Sequence, residues 1–67
     1  MNIENIKNRV FAIERMAHDD EIAHTAEDLL FRFFIQSIAD GSYQGDIREG
    51  AKECLKSLEI DFNRWSA

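Results

Sequence analysis

The length of 67 residues allows one domain, and domains this small bury so little surface that they are marginal alone. Hydrophobic residues make up 45% of the chain, too many for a disordered protein. The lone cysteine, Cys54, excludes an internal disulfide and, with the lack of a secretory signal, fits a reducing, cytoplasmic setting. The longest charge-free run, residues 33–39, is far shorter than the ~20 residues of a membrane span, so no membrane partner is expected.

The charge is concentrated in one segment. The formal net charge is −5, and residues 18–40 alone hold six carboxylates against one arginine. No basic patch is present that could neutralise a phosphate backbone, which argues against direct binding of nucleic acid.

A first helix is predicted from Ile3 to Ala17, with Asn2 as its N-cap because the amide side chain can accept from a free backbone N–H. Apolar residues recur there at spacings of three and four and form one narrow stripe: Ile3, Ile6, Val10, Ile13 and Ala17. Phe11 lies outside the stripe.

A second helix is predicted to start at an N-cap of Asp19 or Asp20 and to run to about Ala39, before Gly41. Its expected core face consists of Ile22, Ala23, Ala26, Leu29, Leu30, Phe33 and Phe34.

The opposite side of the second helix is also apolar in its C-terminal half, at Phe31, Ile35 and Ile38. A helix that is apolar all round must be buried all round, and a small monomer has difficulty doing that. We therefore predict a homodimer that forms through these three residues; the alternative is that the first helix or the tail covers them.

A third helix is predicted to begin at Asp46, which forms with Glu49 a relative of the capping box. Its expected buried face consists of Ile47, Ala51, Cys54, Leu55 and Leu58. Residues 60–65 are predicted to form a short fourth helical element capped by Asp61, on which Phe62 and Trp65 dock together; an extended tail is the alternative.

One polar cluster surrounds His24. On a helix this histidine neighbours four carboxylates at spacings of three and four: Asp20, Glu21, Glu27 and Asp28. Three interpretations remain open. The first is capping and solvation of the helix. The second is a site for a divalent metal such as Mg, Mn, Fe or Zn, formed by His24, Asp20 and Asp28, and the third is a recognition patch for a protein or small ligand.

Catalysis has little support in the sequence. Cys54 lies on an expected apolar face, Ser37 fills a gap among apolar residues, and Tyr43 is interpreted as a lid on the core. No catalytic residue and no cofactor are predicted, although a divalent metal stays possible.

Two blocks of the sequence carry a resemblance: Asp19-Asp20-Glu21-x-Ala23-His24-x-x-Glu27-Asp28-x-Leu30, and the ending Glu59-Ile60-Asp61-Phe62-x-Arg64-Trp65. Through them the chain resembles a family of short proteins of phages and bacterial genomes. The resemblance implies a small accessory protein and brings no activity or site residue with it.

The prediction is therefore an all-α three-helix bundle with a short C-terminal element. The function indicated is a non-enzymatic interaction module that meets a basic protein surface through its acidic patch, because an acidic helix can imitate phosphate spacing. The alternative is a metal- or ligand-binding protein or hydrolase centred on His24.

Overall fold

The computed structural model describes residues 1–64 and confirms the all-α class. Three helices, α1 (Ile3–Arg15), α2 (Asp20–Ala39) and α3 (Ile47–Leu55), are followed by a 3-10 turn at Lys56–Glu59. None of the helices in residues 1–64 combines the length and apolar character that crossing a membrane requires. The predicted docking of Trp65 falls outside the described residues.

The side chains that begin each helix are those predicted from the sequence. The Asn2 side chain accepts from the Asn5 backbone N–H at 3.0 Å, and the Asn5 side chain accepts from the Asn2 backbone N–H at 2.9 Å. Asp19 caps α2, and Asp46 caps α3 by accepting from two backbone N–H groups. These bonds satisfy amides that would otherwise lack a partner. The end of α1 lies two residues earlier than predicted, at Arg15.

The loop between α2 and α3 is attached to the start of the chain. Gln44 N–H donates to the Met1 carbonyl at 2.8 Å, and Tyr43 N–H donates to the Ser37 carbonyl at 3.0 Å. Gly41 has φ +76°, which glycine adopts without strain and which reverses the chain after α2. The beginning of α1 therefore lies beside the end of α2, and α1 packs against both other helices.

The buried stripe of α2 is narrower than predicted. It consists of residues spaced by four, three, four and three: Ala23, Glu27, Leu30, Phe34 and Ser37. The expected burial of Ile22, Leu29 and Phe33 was wrong, because all three are at least one-third exposed. This buried stripe consists of two small residues, two large apolar residues and one carboxylate, and apolar residues on both sides of it stay exposed. One packed face is enough to hold α2 in a bundle of three short helices.

The packed face of α3 also differs from the prediction. Its buried positions, with the 3-10 turn, are Gly50, Cys54 and Ser57, whereas Ile47, Leu55 and Leu58 are about half exposed, contrary to expectation. Gly50 explains the shift. A Cβ on Gly50 would lie 2.8 Å from Tyr43 Cζ and 2.9 Å from Phe34 Cε1, so the missing side chain lets α3 approach closely.

The tail departs from the predicted fourth helix. The 3-10 turn comes earlier, at Lys56–Glu59, and residues 61–64 have no regular secondary structure, so Asp61 caps no helix in the described chain. Phe62 is buried nonetheless, at 8% exposure. The reason is that Arg64 folds back and donates to the carbonyls of Ser57, Ile60 and Phe62.

Candidate functional site

The predicted polar cluster is divided between two sides of α2. Glu21 and Asp28 point to solvent, and His24 is partly buried beside them. Glu27 lies in the buried stripe at 3% exposure. Asp20 accepts a hydrogen bond from the backbone N–H of Asn63 at 3.0 Å. The cluster is therefore a partly exposed surface on one side and a binding site for the tail on the other.

The strongest polar contact in the described chain joins Glu27 to Arg64. Arg64 Nε donates to Glu27 Oε1 at 2.8 Å, and Arg64 Nη2 donates to Glu27 Oε2 at 3.1 Å. The guanidinium also donates to the carbonyls of Ser57 at 2.9 Å and Ile60 at 3.0 Å. Its carbon lies 3.9 Å from the centre of the Phe62 ring. This two-bond pairing and stacking use the planar shape of arginine, which lysine lacks.

The two partners hold each other ionised. Burial by itself would raise the pKa of Glu27, but the hydrogen bonds from Arg64, together with its positive charge, outweigh that effect and lower this pKa below 4.5. The hydrogen bond to Glu27 raises the pKa of Arg64, with burial opposing it. The pair is therefore a carboxylate and a guanidinium at neutral pH.

We call Asp20, Glu27, Phe62, Asn63 and Arg64 the tail clasp. The patch predicted from the sequence includes both acids, and no role is predicted there for Arg64. The sequence does contain a signal that Glu27 is buried. Glu27 falls in the four–three spacing of the apolar residues Ala23, Leu30 and Phe34, and a carboxylate there needs a cation from elsewhere in the chain.

The remaining polar residues do not form a closed site. His24 Nε2 lies 3.6 Å from Asp28 Oδ1, an ion pair when the imidazole is protonated, and Asp28 has 62% of its side chain exposed. Asp20, the third ligand of the metal hypothesis, bonds to the tail instead. In residues 1–64 no group of three histidine, cysteine or acidic side chains converges on a position for a metal ion.

An apolar groove of about 310 Å³ lies between α2 and α3. Its lining consists of Phe31, Phe34, Ile35, Ala51, Cys54 and Leu55. Ile35 and Leu55 form the rims at 65% and 57% exposure. Cys54 lies at the floor, where burial raises the pKa of its thiol to about 11, so this cysteine is an inert core residue as predicted.

Two further predictions for uncharged residues are confirmed. Ser37 donates to the Phe34 carbonyl at 2.7 Å inside the core. Tyr43 covers the core edge-on against the Phe34 ring, with 5.4 Å between ring centres. Both residues pack the end of α2 next to the groove and take no part in a polar site.

The other flank of α2 is covered in part by α1. The Arg9 guanidinium carbon lies 4.7 Å from the centre of the Phe33 ring, and Met16 lies beside Ile22 and Leu29. Cation–π stacking shields Phe33 from water, so this flank offers less free apolar surface than the groove.

Comparison of the chain with protein-family models, with curated proteins and with solved structures finds no match. The geometry of the tail clasp, the groove and the exposed acids is therefore what indicates a function.

Proposed function

We propose that this protein is a non-enzymatic interaction module that forms a homodimer and binds a basic protein surface. The binding surface is the outer face of α2, defined as His24, Asp28, Phe31, Ile35 and Ile38. The resemblance to short phage and bacterial proteins supports an accessory role.

One observation carries the proposal: the outer face is a single helical stripe that changes from polar to apolar along its length. Its members are spaced by four, three, four and three residues, so they share one side of α2. Asp28 and Ile35 are 62% and 65% exposed, and no element in residues 1–64 covers them. Apolar surface next to polar groups is typical of an interface.

A second copy suits the apolar part of this face. In an antiparallel pair of α2 helices, Phe31, Ile35 and Ile38 of each chain would face those of the other. Two copies related by a two-fold axis would each use the same residues, as closed dimers commonly do. The paired grooves would supply the apolar burial that a 67-residue monomer lacks.

The acidic end of the outer face suits a basic partner. Asp28 belongs to this face, and Glu21 lies beside it, seven residues earlier on the helix. Both are exposed in residues 18–40, which carry the whole net charge of the chain and contain Arg32 as their only arginine. Complementary charge steers such partners together and becomes weaker as salt rises.

The test is binding of a fluorescent octa-arginine peptide, measured by anisotropy at low and at physiological salt. We expect the Glu21→Gln/Asp28→Asn variant to bind several-fold more weakly than wild type. A matched control, Glu4→Gln/Glu49→Gln, removes the same net charge from exposed positions on α1 and α3 and should bind better than the α2 variant. Equal loss in the two variants, or binding that ignores salt, would contradict a localised acidic surface.

A further inference from the structure

The tail clasp has the contacts of a peptide bound to a site. Residues 61–64 are irregular in backbone and lie against α2 and the 3-10 turn. Asp20 accepts a backbone N–H from this segment, Phe62 is buried, and the Glu27 carboxylate receives two bonds from Arg64. These are the contacts of an aromatic anchor and an arginine two residues later.

We propose that this site binds an arginine-bearing extended segment of the basic partner, which takes the place of the protein's own tail. The segment would carry an aromatic residue two positions before the arginine. The inference rests on the proposed function, because it names what the basic partner presents to the N-terminal half of α2.

The buried carboxylate selects arginine as the incoming group. If residues 61–64 leave, Glu27 remains in the packed stripe at 3% exposure without a counter-charge, which is costly. The carbonyls of Ser57 and Ile60 remain as well, and both now accept from Arg64 Nη2. A planar guanidinium donates to the carboxylate and these carbonyls together, whereas an ammonium group does not match this geometry.

The aromatic residue follows from packing. Phe62 belongs to the core cluster, so its departure would leave a cavity beside buried side chains. The same ring stacks on the guanidinium at 3.9 Å. A partner that supplied arginine alone would leave this cavity empty, so we infer that both side chains enter together.

Exchange does not require the helices to unfold. Ile60 N–H, which donates to the Ser57 carbonyl, closes the last backbone turn before the irregular segment. The bonds from the segment to α2 end on two side chains, Asp20 and Glu27. Of the fully buried residues, Ile6, Ile13, Ala23 and Leu30 lie on α1 and α2 and Ser57 lies in the 3-10 turn, so none belongs to residues 61–64.

The test uses a fluorescein-labelled peptide with the sequence of residues 59–67, added to the full-length wild type and to its Arg64→Lys variant. The variant keeps the positive charge but loses the two-bond pairing, so its own tail should compete less. We expect the variant to bind the peptide about tenfold more tightly than wild type. A control peptide with lysine in place of arginine should bind the variant about tenfold more weakly than the arginine peptide.

Far-UV circular dichroism checks that the variant is folded. If it is not, the wild type labelled with ¹⁵N is titrated with the arginine peptide at roughly 1 mM, a range in which complexes with a Kd of about 1 mM are detected. Displacement of the tail would then shift the Asn63 amide and the Arg64 Nε–H signals.

Three results would overturn the inference. The first is a folded variant that does not bind the peptide, and the second is equal binding of the lysine and arginine peptides. The third is a wild-type dimer that dissociates on Arg64→Lys but persists in Ile35→Gln, because the site would then hold the tail of a second copy. Salt-sensitive binding of octa-arginine in any of these cases would leave the proposed function standing.

Discussion

The two halves of α2 differ in the residues that they bury and in those that they leave exposed. In the N-terminal half the chain places a carboxylate, Glu27, in its packed stripe and closes the site with Arg64 from its own tail. In the C-terminal half it buries Phe34 under Tyr43 but leaves Ile35 exposed. The buried carboxylate of the polar half has its counter-charge in the same chain, whereas the apolar half leaves Ile35 exposed to solvent. This difference indicates where a second molecule would add apolar burial.

The largest effect on stability is expected from Glu27→Gln in the N-terminal half of α2. The variant leaves Arg64 without its charged partner, and we expect a loss of about 3 kcal/mol in the free energy of unfolding at pH 7. Urea unfolding followed by circular dichroism measures this change. The exposed substitution Glu59→Gln is the control and should alter stability by less than about 0.5 kcal/mol.

The same pair predicts how stability depends on pH. Because the folded-state pKa of Glu27 is lowered from its ordinary value of 4.5, its contribution is present in full above that value and is lost as pH falls through the folded-state pKa. The stability gap between wild type and Glu27→Gln should therefore narrow between pH 7 and pH 3. A gap that stays constant would show that Glu27 acts through packing and not through its charge.

An intermediate effect on stability is expected from Gly50→Ala, at the point where α3 packs against Phe34 in the C-terminal half of α2. The change would normally favour a helix by about 1 kcal/mol. Here the new methyl group would meet the Tyr43 hydroxyl and ring and the Phe34 ring, and we expect a net loss of about 2 kcal/mol. Adding Tyr43→Ala to Gly50→Ala should cost less than Tyr43→Ala costs in wild type. Additive losses would mean that contact with Tyr43 is not the reason why Gly50→Ala is destabilising.

The smallest effect on folding and the largest on assembly are expected from Ile35→Gln. Because Ile35 is 65% exposed, this change should alter the stability of the monomer by no more than about 0.5 kcal/mol. In native mass spectrometry it should convert the proposed dimer to a monomer. Ile22→Gln is the matched control, because Ile22 is 52% exposed on the same helix, about 140° around its axis. If both variants keep the mass of wild type, the groove is not the dimer interface.

Much of the fold follows from local chemistry and could be predicted. Asn2, either Asp19 or Asp20, and Asp46 were predicted as helix starts, and Asn2, Asp19 and Asp46 each cap a helix through a side chain that accepts from nearby amides. Capping depends on residues three or fewer positions apart, so the sequence contains all the information it requires. The helical class follows from the spacing of the apolar residues for the same reason.

The faces that pack could not be predicted as well. Hydrophobicity ranked Leu55 and Leu58 above Gly50 and Ser57, yet the smaller residues are buried and the leucines are exposed. Apolar residues that surround most of a helix allow several faces to pack. Close approach of two backbones at a small residue decides among them, and that depends on partners distant in the sequence.

The sequence by itself therefore determined three helices, their starting residues, an acidic central segment and an excess of apolar surface on α2. Tertiary structure alone decided that Glu27 leaves the acidic patch for the core, since its cation, Arg64, lies 37 positions away. It also decided that the tail lies irregular against α2, because Arg64 donates to the Glu27 carboxylate and to three carbonyls that a helical tail would need for its own backbone hydrogen bonds. Local propensity describes neighbours along the chain, whereas the burial of a charge depends on the group that folding brings to it.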